Sequence, residues 1–361
     1  MKKEIICFHF LNNYSGSPFI LSLVIRAFID EGHRVTLYTS KGKGFLSDNP
    51  DIKYKFLMYE WKLNKIWLSF LFILTQLQLF LSVLLNHSFK KKQIFYINTI
   101  LPFGAAIAGW LLRLEIIYHV HEHYVNPNLM QKIALKVMQF TADKVIFVSN
   151  YLQKTISVKQ HNIVLTNSLS FEFINISDAY LLDKRETNRL YNNILMVSSL
   201  KVYKGVLIFL ELARKLPEYE FCLVAGSDHK EVLNFIKAHN PPKNFIIYSA
   251  QSNLHPFYQN ADILVNLTIP SYCIESFGLT ILEGMAYGLP IIAPPAGGPT
   301  EIVIDGENGY LINASDMNKL ISSIRNLSEN PEIYNNFSNA SLRLSKNYNY
   351  VFMKNQLLNF I

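Results

Sequence analysis

The chain has 361 residues, which is more than one ordinary hydrophobic core accommodates and enough for two domains of typical size. Half of the residues are apolar and 13% are aromatic, so the composition is that of a globular protein and excludes a disordered chain. The formal net charge of +7 suits three classes of partner: nucleic acid, an anionic membrane surface or an anionic substrate.

The cysteines and the first residues indicate a cytoplasmic protein. Cys7, Cys222 and Cys273 lie far apart without the spacing of a metal site, as expected for free thiols in a reducing compartment. The apolar run that follows the basic start is shorter than the one a signal peptide needs. We therefore expect a first β-strand at this position.

Short apolar runs alternate with amphipathic ones in both halves of the chain, a pattern that predicts strands alternating with helices. The predicted strands span 3–10, 33–40, 93–99, 115–122, 144–150 and 162–168, and then 193–200, 219–227, 244–250, 261–268 and 290–295. The first predicted helix spans 17–32 and ends at Gly32. Two such halves predict an α/β protein with two Rossmann-like domains, each a doubly wound parallel sheet, that face a cleft.

The breaks in this alternation set the predicted domain boundaries. We expect an N-terminal domain at 1–168 and a C-terminal domain at 193–340. Residues 169–192 are rich in charge and asparagine and are interpreted as the linker. Residues 341–361 have a helical pattern and no partner strand, and are expected to pack back on the N-terminal domain.

An apolar segment at 66–85 is long enough to span a bilayer. Gln76 and Gln78 lie near its middle and argue against a span, so that a buried helix, an interfacial helix and a true span remain as alternatives. The lysines at 90–92 fit either a solvated helix end or a contact with acidic lipids.

The stretch 274–293 places two glutamates eight positions apart, Glu275 and Glu283, in a run that carries no other charge. Apolar spacing predicts a helix over 279–287, closed by Gly288. Glu275 then lies in the loop at the carboxyl end of the preceding strand, where open parallel sheets bind ligands. Glu283 lies in the first turns of the helix.

The start of this helix is a predicted phosphate site. The amides of Gly278, Leu279 and Thr280 have no partner inside the helix and point out of its N-terminus. Either glutamate alone is explained by the helix dipole or by solvation. The combination of two glutamates, a crevice and glycines favours a ligand site.

The run 261–312 resembles the signature of the retaining glycosyltransferases of family 4, which have the two-domain GT-B fold. The similarity consists of the paired glutamates, FGL between them, GLP after the helix, the Gly297–Gly298 turn and DGENGYLI. Weaker similarities elsewhere are YSGSPF after the first strand, HVHE, LTNSLS at the domain junction and SLKVYKG.

The resemblance implies a role for each matching residue. Glu275 would face the hydroxyls of the donor sugar, and Glu283 would hold the nucleotide ribose. His121 would lie near the reacting centre, with His119 as a neighbour that could be confused with it. The implied catalytic residues are Glu275, His121 and Lys204, and the implied donor-binding residues are Glu283, Gly16, Lys201, Phe277, Gly278, Leu279, Thr280 and Gly226.

The chemistry of the implied reaction accounts for these residues. Cleavage of a sugar–diphosphate bond leaves negative charge on the departing phosphate, which Lys204 and the helix amides would stabilise. No Asp-x-Asp clamp is present, so we expect no metal and no cofactor. A metal site at His119, His121 and His123 is disfavoured for lack of a fourth ligand, and His9, His33, His161, His229 and His255 are interpreted as surface or core histidines.

Two positions depart from the family pattern. Ser199 stands where relatives commonly have an arginine, and Lys201 is the nearest candidate for the second cation. AGSD at 225–228 replaces a two-glycine turn at the nucleoside pocket.

We therefore expect a glycosyltransferase that moves a sugar from a nucleotide diphosphate sugar to a glycan acceptor. The basic charge and the apolar segment favour a lipid-linked glycan acceptor at the cytoplasmic membrane face, in surface polysaccharide assembly. The alternative is an inactive protein of the same fold that binds nucleotide or glycan as the partner of an active enzyme, which Ser199 favours. Nucleic-acid binding is disfavoured because the lysines are not grouped with aromatics into a recognisable module.

Overall fold

The structure is a computed structural model that describes residues 2–59, 65–87, 93–183 and 191–361. The chain divides into two compact units. The first unit comprises Met1–Asn167 with Val351–Ile361, and the second comprises Ser168–Tyr350.

The described part of the first unit contains a seven-stranded parallel sheet in the order β3-β2-β1-β4-β5-β6-β7. Its strands are β1 Glu4–Phe8, β2 Arg34–Ser40, β3 Ile52–Leu57, β4 Gln93–Asn98, β5 Glu115–Val120, β6 Lys144–Phe147 and β7 His161–Val164. The helices are α1 Gly16–Asp30, α2 Lys65–Asn86, α3 Phe103–Leu111, α4 Leu129–Thr141 and α5 Asn150–Thr155. Every residue of β4 is buried, as expected for a central strand covered by helices on both faces.

The described part of the second unit contains a six-stranded parallel sheet in the order β10-β9-β8-β11-β12-β13. Its helices are α6 Phe171–Asp183, α7 Val206–Lys215, α8 His229–His239, α9 His255–Asn260, α10 Leu279–Ala286, α11 Pro299–Ile302, α12 Met317–Glu329 and α13 Pro331–Ser345. Its strands are β8 Asn193–Ser198, β9 Glu220–Ala225, β10 Phe245–Tyr248, β11 Ile263–Val265, β12 Ile291–Ala293 and β13 Gly309–Leu311. In its core the ring of Phe209 packs edge-on against Phe221, with 5.1 Å between ring centroids.

Strand order reverses once in each sheet, between β1 and β4 and between β8 and β11. Loops that leave the carboxyl ends of such a strand pair diverge, and the crevice between them is the usual ligand site of an open parallel sheet. In the first unit these loops precede α1 and follow Asn98. In the second unit they contain Lys204 and Glu275.

All eleven predicted strands are confirmed, and two observed strands were not predicted. In β3, Ile52, Tyr54 and Phe56 alternate with Lys53 and Lys55, which is the pattern of a half-exposed strand, and the strand lies at the edge of the described sheet. The prediction missed this alternation. The other, β13, has three residues and begins with Gly309, which is too short for a periodic signal of its own.

The stretch predicted as the linker contains a helix. Helix α6 spans Phe171–Asp183 and belongs to the second unit. The ring of Phe173 lies 4.6 Å from that of His255, and the Tyr180 hydroxyl donates to the carbonyl of Gln259 at 2.7 Å. These contacts, which the sequence pattern does not reveal, explain why a charged, asparagine-rich stretch is helical.

The C-terminal tail forms two helices: α13 ends at Ser345, and α14 spans Tyr350–Phe360. Residues from Val351 onward group with the first unit. Lys354 forms ion pairs with Asp30 at 3.5 Å and Glu31 at 3.1 Å, both at the end of α1. The ring of Phe360 lies 4.9 Å from that of His161.

Helix α2 is fixed to the first unit by the two glutamines near its middle. The Gln76 amide donates to the carbonyl of Leu101 and accepts from the amide of Gly104, both at 2.8 Å. The Gln78 amide accepts from the backbone of Met58 at 2.9 Å and donates to that of Phe56 at 3.2 Å. Both side chains therefore serve to dock the helix on its own domain.

The outer face of α2 is apolar and exposed. Over Trp67–Asn86 the helix is long and apolar enough to cross a membrane, and 22% of the most apolar stretch is buried. The exposed apolar side chains follow helical spacing and are called the α2 stripe: Trp67, Phe70, Ile73, Leu77, Leu81 and Leu85. The lysines at 90–92 lie outside the described residues.

Candidate functional site

Lys204 is placed by a tight turn at the end of β8. A single 3₁₀ turn, Val202–Lys204, ends at Gly205, whose φ of +77° is unfavourable for a residue with a side chain. A Cβ at Gly205 would lie 2.1 Å from the carbonyl oxygen of Leu267, which follows β11. The glycine thus lets the Lys204 turn pack directly on the chain that leads to Glu275.

Lys204 and Glu275 form an ion pair, with 2.6 Å between Nζ and Oε2. The two side chains are only 22% and 24% exposed. Burial opposes the charge of the carboxylate, but Lys204 and hydrogen bonds from Asn266 and Thr268 hold the pKa of Glu275 below its ordinary value. Burial also opposes the charge of the ammonium, yet attraction to Glu275 keeps the pKa of Lys204 raised.

The Gly297–Gly298 turn holds the Glu275 loop from the other side. The amide of Gly298 donates to the carbonyl of Glu275 at 2.8 Å. A Cβ at Gly297 would lie 2.4 Å from that oxygen, and one at Gly298 would lie 2.3 Å from the Cα of Phe277. Only glycines fit this approach, which explains the glycine pair that the sequence resemblance singled out.

The N-terminus of α10 begins beside Glu275. Gly278 has a φ of +103°, and its carbonyl accepts from the amides of Ile281 and Leu282. The earlier amides, including those of Leu279 and Thr280, point out of the helix and can bind an anion. Phe277 is only 3% exposed and its ring packs edge-on against Tyr348, so its side chain belongs to the packed interior.

Glu283 lies one turn further into α10 and accepts a hydrogen bond of 2.5 Å from the hydroxyl of Tyr258 in α9. Burial raises the pKa of Glu283 to about 7, although this hydrogen bond lowers it. The rings of Tyr258 and Tyr287 are stacked, with centroids 5.7 Å apart, and contribute to the surroundings of Glu283. The two glutamates therefore have opposite environments: Glu275 has a cation as its partner and Glu283 has a phenol.

Lys201 and Gly226 lie at the neighbouring strand ends. A cavity of about 240 Å³ is lined by Leu200, Lys201, Ser227, Glu231, Asn234 and Phe235. The amide of Gly226 donates to the carbonyl of Ser198 at 2.9 Å. The side chain of Asp228, the last residue of AGSD, caps α8 by accepting from the amide of Glu231, which gives a structural reason for this departure from the family pattern.

In the first unit, Asn98 connects Gly16 with His121. Gly16 is the first residue of α1, and the carbonyl of the next residue, Ser17, accepts from Asn98 Nδ2 at 3.1 Å. On its other side Asn98 Oδ1 lies 2.9 Å from Nε2 of His121. Asn98 ends β4, which adjoins β1 at the reversal of strand order.

The histidines around His121 are held by protein groups. His119 is fully buried, with its Nδ1 2.8 Å from the hydroxyl of Tyr96. Its ring lies 4.2 Å from that of His121, and His123 packs against Tyr151. Among the residues that the structure describes, no group of three or more His, Cys, Asp or Glu side chains is arranged to hold a metal ion.

The sequence analysis assigned no role to three residues of this region: Asn98, Thr99 and Glu122, the last of which is the glutamate of HVHE. Thr99 has a φ of +73°, an uncommon conformation for a β-branched residue. Burial raises the pKa of Glu122 to about 7, although hydrogen bonds from the backbone of His121 and the Thr99 side chain lower it. Two signals were available in the sequence: the position of Asn98 at a strand end and the place of Glu122 in HVHE.

The predicted residues therefore form two groups. The second unit brings Lys204, Glu275, Glu283 and the first amides of α10 into one region, with Lys201 and Gly226 at adjacent strand ends. The first unit brings Gly16 and His121 together through Asn98.

Two known family models match the chain. Residues 19–160 match the family model described as Glycosyltransferase Family 4, and residues 182–343 match the model described as Glycosyl transferases group 1. The chain belongs to the family-4 glycosyltransferases, as its sequence signature predicted.

Relatives and solved structures extend the comparison. An uncharacterised glycosyltransferase of Methanocaldococcus jannaschii is 27% identical over 72% of this chain and 73% of its own length. One of Haemophilus influenzae is also 27% identical, over 66% of this chain and 67% of its own length. The crystal structure of Anabaena HepE in complex with UDP and glucose has a TM-score of 0.79 and 18% identity, covering 99% of this chain and 98% of HepE. The predicted GT-B fold is confirmed.

The Lys204–Glu275 pair is expected to contribute to stability. Lys204→Met should lower the free energy of unfolding by about 1–3 kcal/mol, because Glu275 then lies partly buried without its counterion. Adding Glu275→Gln should recover part of this loss, giving a coupling of about 1 kcal/mol or more in a double-mutant cycle followed by urea unfolding.

The exposed pair Arg325–Glu218 is the matched control, with side chains 49% and 51% exposed and an expected coupling of about 0.2–0.5 kcal/mol. Because the folded pKa of Glu275 is lowered, its stabilisation is present above its ordinary value of 4.5 and is lost as the pH falls through the folded value. Equal coupling in the two pairs would contradict this account.

Proposed function

We propose that the protein transfers a sugar from a nucleotide diphosphate sugar to an acceptor hydroxyl with retention of anomeric configuration. The observation that carries the proposal is the partly buried Lys204–Glu275 pair beside the free amides of α10, at the reversal of strand order. HepE, which shares the fold, has been crystallised with UDP and with UDP-glucose, and this supports a nucleotide sugar as the donor.

The geometry suits the departure of a diphosphate. One proton of the Lys204 ammonium is directed to Glu275 Oε2, which leaves two donors for phosphate oxygens. The anomeric carbon–oxygen bond breaks, and the diphosphate takes the electron pair beside Lys204 and the α10 amides. The acceptor oxygen bonds to the anomeric carbon on the same face, and its proton passes to the departing phosphate.

We also propose that the reaction is independent of metal ions. The sequence has no Asp-x-Asp clamp, and the charge that a divalent cation would neutralise is assigned here to Lys204 and the helix amides. The carboxylate of Glu275 accepts from Lys204, Asn266 and Thr268, and its remaining acceptor capacity is assigned to a hydroxyl of the donor sugar.

Lys204→Ala is expected to lower turnover by on the order of a hundredfold, as the loss of one preorganised donor does. Turnover is measured by release of nucleoside diphosphate from a panel of nucleotide sugars, with Lys215→Ala, an exposed lysine at the end of α7, as control. Unchanged turnover in Lys204→Ala would contradict the assignment. Nucleotide binding by the wild type without turnover of any donor would favour the inactive partner protein.

The two glutamates are expected to divide the donor between them. Glu283→Gln should weaken binding of free nucleoside diphosphate and of donor alike, because a charge-assisted bond to the ribose is lost. Glu275→Gln should leave free nucleotide binding nearly intact and depress sugar transfer. Calorimetric titration beside kinetics measures both, with Glu218→Gln as the exposed control.

The same titration has an expected pH dependence. Wild-type nucleotide affinity should decrease as the pH falls below about 7, where Glu283 takes up a proton, and Glu283→Gln should remove that part of the dependence. Loss of nucleotide affinity in Glu275→Gln but not in Glu283→Gln would reverse the assignment.

For the acceptor we propose a lipid-linked glycan of surface polysaccharide assembly, reached at the cytoplasmic face of the membrane. The α2 stripe presents apolar side chains about half exposed or more, on a helix that is hydrogen-bonded to its own domain through Gln76 and Gln78. Exposed Phe56 and Met58 of the adjoining β3 region extend this surface, and the Lys41 ammonium lies 5.8 Å from the ring of Phe56. An apolar surface with a basic margin fits an anionic bilayer.

The triple variant Ile73→Ser, Leu77→Ser, Leu81→Ser is expected to bind lipid vesicles at least about tenfold more weakly, because three partly exposed apolar side chains are removed. Co-sedimentation with phosphatidylcholine vesicles, with and without phosphatidylglycerol, measures the loss. The control variant Leu233→Ser, Ile246→Ser removes comparably exposed side chains from the second unit. Equal losses in both variants, or release from cell membranes by detergent alone, would contradict peripheral docking.

A further inference from the structure

The buried amide of Asn98 lies at the centre of a hydrogen-bond network in the first unit. Asn98 is fully buried, and its side chain reaches the carbonyl of Ser17, the ring of His9 and the ring of His121. His9 is 4% exposed, whereas His121 is a partly exposed residue. Asn98 is thus the inner member of the network, and His121 is the member that a substrate can reach.

The carbonyl of Ser17 fixes which way the Asn98 amide faces. A carbonyl oxygen only accepts hydrogen bonds, so the Asn98 atom 3.1 Å away must be the NH₂ group. Nδ1 of His9 lies 3.1 Å from the same NH₂ group and 3.4 Å from the backbone carbonyl of Asn98. With the NH₂ group held by Ser17, the amide oxygen faces Nε2 of His121 at 2.9 Å.

This orientation sets the proton on His121. The amide oxygen of Asn98 can only accept, so Nε2 of His121 must carry the hydrogen. In a neutral imidazole the other nitrogen, Nδ1, then holds a lone pair. The described residues supply Nδ1 with no hydrogen-bond partner.

We propose that Asn98 is a positioning residue that holds His121 with its proton on Nε2, so that Nδ1 accepts a hydrogen bond from a substrate hydroxyl. The hydroxyl is that of a sugar, and this part of the proposal rests on the proposed glycosyl transfer. The assignment of the proton does not, because it depends only on Asn98, Ser17 and His121.

The surroundings favour the neutral ring that this role requires. Burial is the main cause that lowers the pKa of His121 well below its ordinary value, and the neighbouring His119 and His9 lower it further. Burial lowers the pKa of His119 to about 3 and that of His9 to about 4. The carboxyl of Glu122 accepts from the backbone amide of His121 at 3.3 Å.

The test is a two-bond proton–nitrogen NMR spectrum of protein labelled with ¹⁵N-histidine, recorded without substrate and assigned with His121→Gln. We expect His121 to show a protonated Nε2 and an unprotonated Nδ1. A proton on Nδ1, or a doubly protonated ring at neutral pH, would overturn the proposal.

Variants separate positioning by Asn98 from general support of the fold. Asn98→Ala should give a mixture of His121 tautomers and lower kcat/KM by about tenfold, the value of one lost hydrogen bond. Asn98→Asp fills the same volume and should move His121 towards the doubly protonated form. Asn12→Ala is the control, since Asn12 is equally part of the first unit and makes three hydrogen bonds to the loop at 42–47, none to His121.

The outcomes are distinct. A wild-type His121 spectrum in both Asn98 variants, or the same spectral change in Asn12→Ala, would overturn the positioning role. If the proton lies on Nε2 but no nucleotide sugar is turned over, the tautomer assignment stands and the proposed function fails.

Discussion

In a parallel sheet whose strand order reverses, the loops that leave the two central strands diverge at their carboxyl ends, and an open crevice results. Both units of this chain are built on that constraint, at β1 and β4 and at β8 and β11. The placement of the reactive side chains follows from this reversal of strand order. Asn98 ends β4 in the first unit, and Lys204 and Glu275 lie in the loops after β8 and β11 in the second. Within each unit, the sheet brings together groups that are far apart in sequence.

Burying part of a lysine and of a glutamate removes their charges from water, and this desolvation cost must be offset by new interactions. The ion pair between Lys204 and Glu275, at 2.6 Å, offsets the desolvation of both charges, and Asn266 and Thr268 donate further hydrogen bonds to Glu275. The backbone must also approach closely, which Gly205, Gly297 and Gly298 allow, since a Cβ at any of them would lie within 2.5 Å of neighbouring backbone. Because its charged groups are already held in place, such a site needs little reorganisation during the reaction step.

The sequence predicts the features that depend on local pattern. The central strands have unbroken apolar runs, and Glu275 and Glu283 stand in a motif with a recognisable glycine turn. The sequence does not predict features that depend on contacts between residues distant in the chain. Helix α6 is stabilised by packing against α9, and the role of Asn98 depends on its hydrogen bonds to Ser17 and His121. The structure also separates residues that the motif treats alike, because the ring of Phe277 is a packing anchor whereas the Glu275 carboxylate is partly exposed.

We propose that Lys204, Glu275 and the α10 amides stabilise a departing diphosphate while the sugar keeps its configuration. The most direct measurement is an NMR determination of the anomeric configuration of the first-formed product, with the best donor of the nucleotide-sugar panel and excess chelator present. We expect a product with the anomeric configuration of the donor, formed at an undiminished rate. An inverted anomer, or a reaction abolished by the chelator, would contradict it.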